Sequence, residues 1–200
     1  MSGQSIFSIA LTLFLVTNPV GNAPAIIALI KDFDFSRQKA IMLREATFSL
    51  LLALFFQYFG EVFLNTLHID RYTVSLCGGT LLFLISLSMI FPLHHEETVK
   101  ATKHEPFFVP IATPILSGPG LLAMIMLLSA QVSSNFAMSL AILLAWVGVF
   151  FVLLIAPYLN RVLGKRGLLA LEQLMGLVLS IISTDMLVKG VEQFILSIRG

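Results

Sequence analysis

Charge is scarce in this 200-residue chain: Asp, Glu, Lys and Arg make up 12% of it, whereas hydrophobic residues make up 58%. A soluble domain of similar length carries roughly 25% charged residues. The shortage therefore indicates an integral membrane protein. The formal net charge is only +1, so the chain lacks the strongly basic balance that is typical of nucleic-acid-binding proteins.

Cysteine is nearly absent as well. Cys77 is the single cysteine, which excludes an internal disulfide and thiol–disulfide chemistry by a cysteine pair. Lys and Arg are missing from the first 30 residues, whereas a secretory signal peptide begins with a positively charged region. We therefore expect the first hydrophobic segment to belong to the mature protein.

Long apolar runs account for nearly the whole chain. A membrane span needs about 20 consecutive apolar residues, and six segments meet this requirement. Together they predict an all-α integral membrane protein with a single transmembrane domain over residues 1–200. The predicted spans are Ile6–Ile30, Ala46–Leu64, Tyr72–Phe91, Phe107–Ala130, Phe136–Leu159 and Leu168–Val188.

The positive residues predict the orientation of these spans. Nine of the twelve Lys and Arg residues lie in the connections after the first, third and fifth spans. Because cytoplasmic loops carry an excess of Lys and Arg, these three connections are expected on the cytoplasmic side. Both termini are then predicted on the external, periplasmic side of the cell membrane. The other three are Arg71, Lys189 and Arg199.

Two stretches of helix-breaking residues interrupt the first and fourth spans. They are Thr17–Pro24, which reads TNPVGNAP, and Thr113–Gly120, which reads TPILSGPG. Both prolines of the first stretch recur 95 residues later, with polar residues at two matching positions. Proline lacks an N–H and glycine is flexible, so neither favours a continuous helix. Both spans are therefore predicted to be broken near the membrane midplane.

The third and sixth spans also share residues at one spacing. Gly79, Ser86 and Met89 recur 97 residues later as Gly, Ser and Met. The chain thus reads as two repeats, at about 5–92 and about 106–195. Each half holds three spans, an odd number, so the second half must enter the membrane inverted. The prediction is a 3+3 inverted-topology repeat, the plan of many secondary transporters.

Paired helix breaks favour a binding site. Irregular backbone in a bilayer is tolerated only where it is buried in protein or lines a wet cavity. Half-helix N-termini attract carboxylates, and freed carbonyls attract cations or ammonium groups. Asn22 and Ser117, each two residues before a proline, are predicted as N-caps of the half-helices. The alternative is that the prolines only kink packed helices.

The predicted site takes its residues from both breaks, which together would hold one small zwitterion. Ser183 and Thr184 are further candidates for lining it, although Ser and Thr hydroxyls commonly bond their own helix backbone. Gly79 and Gly176 are expected to permit close helix packing. The predicted substrate-binding residues are Thr17, Asn18, Pro19, Gly21, Asn22, Thr113, Pro114, Ser117, Gly118 and Gly120.

At these motifs the sequence resembles the MarC family of six-helix inner-membrane proteins, also called the neutral amino acid transporter family. The resemblance rests on Asn18-Pro19-Val20-Gly21-Asn22 and on Pro114–Gly120, and it covers essentially the full length. It implies transport of small neutral amino acids such as glycine or alanine, coupled to protons. No cofactor and no metal are expected, and the partners are the substrate, protons and the lipid bilayer.

Asp185, in the sixth span, is a candidate for carrying the coupled proton, because ionisable residues inside a membrane bundle are rare and functional. Its alternative role is an i, i+4 ion pair with Lys189 near the outer surface. Glu61 and Glu172 are expected near the membrane interfaces.

Three other classes of function remain as alternatives. One is an exporter of other small metabolites or drugs, and another is a membrane scaffold that transports nothing. An intramembrane enzyme is disfavoured, because no predicted span holds a His and no serine lies beside a His or Lys base. The His94-His95-Glu96-Glu97 cluster is expected to be a solvated cytoplasmic loop rather than a metal site.

Overall fold

A computed structural model describes residues 5–91, 107, 109–132 and 134–199, with backbone only at 157, 159–162 and 165. Within these ranges the protein is all-helical and has no strand. Five helical stretches there are long and apolar enough to cross a membrane. They are Ile6–Ile30, Phe35–Thr66, Arg71–Ile90, Asn135–Ala156 and Arg166–Arg199.

The first span consists of two helices, α1 (Ile6–Thr17) and α2 (Pro19–Ile30), which meet at Asn18. Asn18 has φ 50° and ψ 49°, a left-handed conformation that Asn tolerates better than most residues. The following proline disfavours the right-handed helical region at this position and suits the first turn of α2. The predicted break is therefore present.

The predicted cap of this break was wrong. Asn18 is the N-cap of α2, and its Oδ1 accepts a hydrogen bond from Gly21 N at 3.1 Å. Asn22 instead lies inside α2, as does Pro24. The N-cap is Asn18 because the first proline of the motif, Pro19, rather than the second, occupies the first turn of α2.

Helix α3 (Phe35–Thr66) starts well before the predicted span at Ala46. Its 32 residues reach about 48 Å at 1.5 Å per residue, more than the ~30 Å of a bilayer core. Asp34 caps the extension by accepting from Arg37 N at 3.2 Å. Helix α4 (Arg71–Ile90) follows, within one residue of its predicted bounds.

The segment predicted as the fourth span is interrupted more severely than the first span. It consists of an irregular segment, Ile111–Leu116, and helix α5 (Pro119–Gln131). Wide i to i+5 hydrogen bonds hold the segment, including Ser117 N to Ala112 O at 2.8 Å. Thr113 is extended, with φ −139° and ψ 130°. The 13 residues of α5 cover about 20 Å, so α5 alone is too short to span.

The predicted cap of this second break was also wrong. Gly118, not Ser117, is the N-cap of α5 and precedes Pro119 at the first helical position. Glycine has no side chain that could accept a hydrogen bond from the first turn. The first N–H groups of α5 therefore have no side-chain cap, whereas Asn18 caps those of α2. We call the second break open and the first closed in this sense.

Helix α6 (Asn135–Arg199) contains two arms that meet near Gly164. Gly164 has φ 61°, which only glycine adopts readily, and it redirects the chain. We call Asn135–Ala156 the N-terminal arm and Arg166–Arg199 the C-terminal arm. The C-terminal arm continues eleven residues beyond the predicted end at Val188.

Glycines allow α4 and the C-terminal arm to pack closely. A Cβ at Gly79 would lie 2.9 Å from Leu187 Cγ, and one at Gly176 would lie 3.0 Å from Ile90 Cγ1. From the first contact to the second, the chain advances by eleven residues on α4, from Gly79 to Ile90, and goes back by eleven on the C-terminal arm, from Leu187 to Gly176. The two helices are therefore antiparallel. The predicted packing role of both glycines is confirmed.

The N-terminal arm of α6 provides the centre of the core. Trp146 is 1% exposed and donates from Nε1 to Ala46 O on α3 at 3.1 Å. The arm also packs against α1 through Gly148, which faces the ring of Phe14. A buried indole needs a partner for its N–H, and the helix backbone supplies one. The core thereby fixes the position of α3 beside both breaks.

Candidate binding site

A cavity of about 240 Å³ lies between the two breaks. The first break contributes Val16, Asn18 and Asn22 to its wall. The second contributes seven residues, which are Pro114, Ile115, Leu116, Gly118, Pro119, Gly120 and Leu121. Helix α4 and the C-terminal arm complete the enclosure with apolar side chains. The wall is thus mainly apolar, with a few polar groups that come from the breaks. The apolar side chains of these two elements are Leu82, Ile85 and Leu179.

Asn18 has both ends of its side-chain amide occupied. Its Oδ1 caps α2, and its Nδ2 lies 3.2 Å from Met89 Sδ on α4. The residue is only 3% exposed. Asn18 therefore forms part of the cavity wall as a fixed structural group, held at both ends.

Asn22 joins the two breaks directly. Its Nδ2 donates to Thr17 O at 3.1 Å and to Ile115 O at 3.0 Å. Both partners are carbonyls exposed by the loss of regular helix, one in each break. The amide nitrogen faces them, so Oδ1 is left without a hydrogen-bond partner among the described residues. Asn22 thus offers one acceptor beside the cavity.

The first turn of α5 supplies the complementary groups. The N–H groups of Gly120 and Leu121 belong to this turn, and both residues line the cavity. In the described part of the chain no side chain accepts from either N–H. Unpaired N–H groups and the helix dipole favour a negative charge at this end. The cavity can therefore satisfy a carboxylate at α5 and a donor at Asn22.

Half of the ten predicted site residues line this cavity: Asn18, Asn22, Pro114, Gly118 and Gly120. The other five lie beside it in the breaks. Thr17 Oγ1 bonds Leu13 O at 2.8 Å, and Pro19 and Gly21 are buried in the first turn of α2.

Ser117 and Thr113 are not among the residues that line the cavity. Ser117 Oγ lies 2.7 Å from Ser49 Oγ and 3.3 Å from Ser49 O, so it ties the second break to α3. Thr113 Oγ1 is buried and has no hydrogen-bond partner. An unpaired buried hydroxyl costs free energy. Thr113 is therefore a destabilising polar group in the break.

Asp185 lies apart from the cavity. Its Oδ2 accepts from Lys189 Nζ at 2.6 Å, and both side chains are 59% exposed. The structure therefore contains the ion pair that was the alternative for this residue. Ser183 and Thr184 both bond Ser180 O in their own helix.

Glu45 on α3 was not among the predicted residues, although it is 0% exposed. Its Oε1 accepts from Arg44 Nε and NH2 at 3.0 and 2.8 Å, whereas Oε2 has no partner. The predicted span began at Ala46, just past this pair. The sequence signal that points to Glu45 is a set of residues at helical spacing that starts before Ala46, continues past it and forms one buried face. Its members are Ile41, Met42, Glu45, Ala46 and Ser49.

Metal-binding clusters are not found in the described ranges, where no three His, Cys, Asp or Glu residues come together. The His94–Glu97 cluster lies outside the described residues.

A multi-pass membrane protein with two interrupted helical segments around one small cavity is the class that these features define. The family model for MarC family integral membrane proteins matches residues 3–195, and the chain belongs to this family. It is 40% identical over 193 residues to the UPF0056 inner membrane protein YhgN of Escherichia coli K12, covering 96% of this chain and 98% of that one. The chain is accordingly a multi-pass inner-membrane protein.

Relatives in other bacteria are similar over comparable lengths. A UPF0056 membrane protein of Buchnera aphidicola subsp. Baizongia pistaciae is 37% identical, covering 96% of this chain and 98% of the relative. One of Chlamydia trachomatis is 35% identical, covering 93% and 92%. No solved structure matches the chain.

Proposed function

We propose that the protein is a secondary transporter of small neutral amino acids, of the size of glycine or alanine, coupled to protons. Transport proceeds by alternating access to the cavity between the two breaks, without catalysis. The observation that carries this proposal is that one cavity receives groups from both breaks.

The size of the cavity supports a small substrate. Pockets for drug-sized ligands measure about 300–1,000 Å³, whereas this cavity measures about 240 Å³. Leu82 packs tightly against Gly120, so the cavity cannot widen there to admit a larger ligand. These features favour glycine or alanine over the alternative of drugs or larger metabolites.

The polar groups of the cavity support a zwitterion. The free first-turn N–H groups of α5 suit a carboxylate, and the unpaired Oδ1 of Asn22 suits an ammonium group. Apolar contacts from Leu82, Ile85 and Leu179 surround the remainder of the ligand. A charged or strongly polar side chain on the substrate would find no polar partner among these apolar residues.

Reciprocal packing supports the inverted repeat. Gly79 meets Leu187, and Gly176 meets Ile90. Gly176 and Leu187 each follow their counterparts, Gly79 and Ile90, by 97 residues. The two contacts are therefore equivalent under exchange of the halves, as expected for a pseudo-twofold axis. In this view the irregular segment Ile111–Leu116 and α5 together form the fourth of six helices.

The orientation proposed from the basic loops also has structural support. Lys39 Nζ, near the start of α3, lies 4.5 Å from the Phe35 ring centroid and 5.5 Å from that of Tyr158. The basic connections after the first and fifth spans thus come together on one side. We assign that side to the cytoplasm and both termini to the periplasm.

Thermal unfolding of the detergent-purified protein with a panel of amino acids tests the proposal, since a ligand that binds the folded state raises its apparent stability. Glycine and alanine should raise the Tm saturably, and phenylalanine should not. Asn22→Ala should abolish the shift. Ser117→Ala is the matched control, because Ser117 contacts α3 outside the cavity; it should retain the shift.

Two results would contradict the proposal. A folded wild-type protein that no amino acid stabilises would favour the scaffold alternative. If an amino acid raised the Tm of Asn22→Ala and wild type equally, it would bind the protein at a site other than this cavity.

A further inference from the structure

Two leucines in the cavity wall occupy equivalent positions in the two halves of the chain. Leu82 on α4 and Leu179 on the C-terminal arm both line the cavity, and they are 97 residues apart. Gly79 and Gly176, which pack the same two helices together, have the same spacing. Both leucines are buried, at 3% and 2% exposed. Each half therefore contributes one equivalent leucine to the wall.

Leu82 limits the cavity beside the second break. A Cβ at Gly120 would lie 2.5 Å from Leu82 Cγ and 2.8 Å from Leu82 Cδ2. The leucine side chain thus packs on the first turn of α5, where the N–H groups proposed for the substrate carboxylate lie. A substrate with a longer side chain at this end of the cavity has to displace Leu82.

The contacts between the two helices give the level of Leu179. Gly79 packs against Leu187, and the helices are antiparallel. Because Leu179 precedes Leu187 by eight residues, it is level with the residue eight positions after Gly79, which is Leu87. The contact of Gly176 with Ile90 assigns Leu179 to the same level.

Leu179 therefore stands at the opposite end of the cavity from Leu82. Leu82 and Leu87, which marks the level of Leu179, are five residues apart on α4, about 7.5 Å along the helix axis. Leu87 lies two residues before Met89, whose Sδ contacts Asn18 of the first break. Leu82 thus lies toward the second break and Leu179 toward the first.

Ile85 is the third apolar residue that these two helices contribute to the wall. It is 40% exposed, so its side chain has room to move aside for a ligand. Its counterpart 97 residues later, Ile182, does not line the cavity. The buried and equivalent pair is therefore limited to the two leucines.

We propose that Leu82 and Leu179 select the substrate by size, each limiting one end of the cavity. The cavity measures about 240 Å³ with both side chains in place. Truncation of either leucine enlarges it at one end and leaves the polar groups of Asn22 and α5 unchanged. This inference rests on the proposed function, since it names the residues that restrict the site to glycine and alanine.

Thermal unfolding of the full chain with amino acids of increasing size tests the proposal. Glycine and alanine should raise the Tm of wild type, whereas valine should not. Leu82→Ala and Leu179→Ala should each retain the shift with glycine and gain one with valine. Leu84→Ala is the matched control, because Leu84 also lies on α4 but is 57% exposed; it should respond to the same amino acids as wild type.

Milder variants keep the test valid, because truncating a buried leucine to alanine can prevent folding. Leu82→Val and Leu179→Val each remove only one methylene group. They should gain a Tm shift with 2-aminobutyrate, which is one methylene group larger than alanine. Folded variants at either position that respond only to glycine and alanine would overturn the proposal.

Thiol modification tests the size limit without any amino acid. Val16, which is 5% exposed, lines the cavity, and Val16→Cys in a Cys77→Ser background places a single thiol there. Benzyl methanethiosulfonate should modify this thiol severalfold faster when Leu82→Ala or Leu179→Ala is added, and Leu84→Ala should not change the rate. The smaller methyl reagent should react in all of these proteins.

Two outcomes of the thiol experiment are decisive. An unchanged rate for the benzyl reagent in both folded leucine variants would overturn the proposal. If no amino acid raises the Tm of any variant but the benzyl reagent gains access as expected, the proposed function fails and the size limit stands.

Discussion

The two breaks share a motif yet are completed differently. In each, the residue before the first proline leaves the helical conformation: Asn18 is left-handed and Thr113, 95 residues later, is extended. Asn18 then caps α2 with its own side chain, and the helix resumes at once. The second break continues to Gly118, which offers α5 no side-chain cap.

This difference assigns separate roles to the two breaks. The first is closed by Asn18 and presents a side chain, Asn22, to the cavity. The second presents backbone N–H groups at the start of α5 and is held to α3 by Ser117. The first break is therefore closed by side chains, whereas the second leaves the backbone N–H groups at the start of α5 without a side-chain cap at the cavity.

The largest effect should come from removing the cap of the first break. Asn18→Ala deletes the bond to Gly21 N and leaves a non-glycine residue without a polar side chain in the left-handed region. The lost cap and the left-handed conformation together should cost about 2–4 kcal/mol in the free energy of unfolding, measured by chemical denaturation. Asn18→Gly tolerates the same φ and should lose clearly less. Equal losses would show that backbone conformation is not part of the role of Asn18.

A smaller effect is expected from filling the second break. In Gly120→Ala the new methyl group would lie 2.5 Å from Leu82 Cγ and 3.3 Å from Gly78 O. Overpacking of this kind costs about 1–3 kcal/mol, and the methyl group also narrows the cavity. Alanine-induced stabilisation should fall more than glycine-induced stabilisation. A variant that binds both ligands as wild type does would contradict the position of the cavity wall.

Ser117→Ala should destabilise the protein by about 1 kcal/mol, because it breaks one buried hydrogen bond to Ser49. Glycine affinity in titration calorimetry should be unchanged. Ser49→Ala should have a similar effect, and the double variant should show less than the sum of the two losses. Additive losses would mean that the two hydroxyls act independently.

The smallest effect is expected at Asp185. The exposed pair with Lys189 contributes roughly 0.5 kcal/mol or less, and the residue lies outside the cavity wall. Asp185→Asn should therefore leave gradient-driven glycine accumulation in proteoliposomes intact. Loss of accumulation in folded Asp185→Asn would instead support the coupling role predicted for Asp185 from the sequence.

Much of the fold could be predicted from hydropathy and from proline spacing. The breaks follow from Pro19 and Pro114, because a residue before proline avoids the helical region whatever surrounds it. The start of α3 could not be predicted in this way. Its first turns carry Arg37, Lys39 and Arg44, so a hydropathy window ends where the helix continues.

The site could be predicted only in part. Which residue caps a broken helix depends on which of two prolines takes the first turn, and Pro19 and Pro119 are not equivalent in the repeat. The direction of Ser117 toward Ser49 is set by the packing of α3, a contact between residues 68 apart. Glu45 was missed for the same reason, because its burial depends on elements distant in the sequence.

Thiol protection in the cavity wall tests most directly whether the two breaks enclose one amino acid site. Cys77, which is exposed, is first replaced by serine. Leu179→Cys then places a thiol in the wall, and Glu192→Cys places one on an exposed, polar position near the end of the same arm. A small methanethiosulfonate reagent should modify both. We predict that glycine or alanine slows modification at position 179 and leaves position 192 unaffected. Equal rates at position 179 with and without saturating glycine, in protein that glycine still stabilises, would contradict this account.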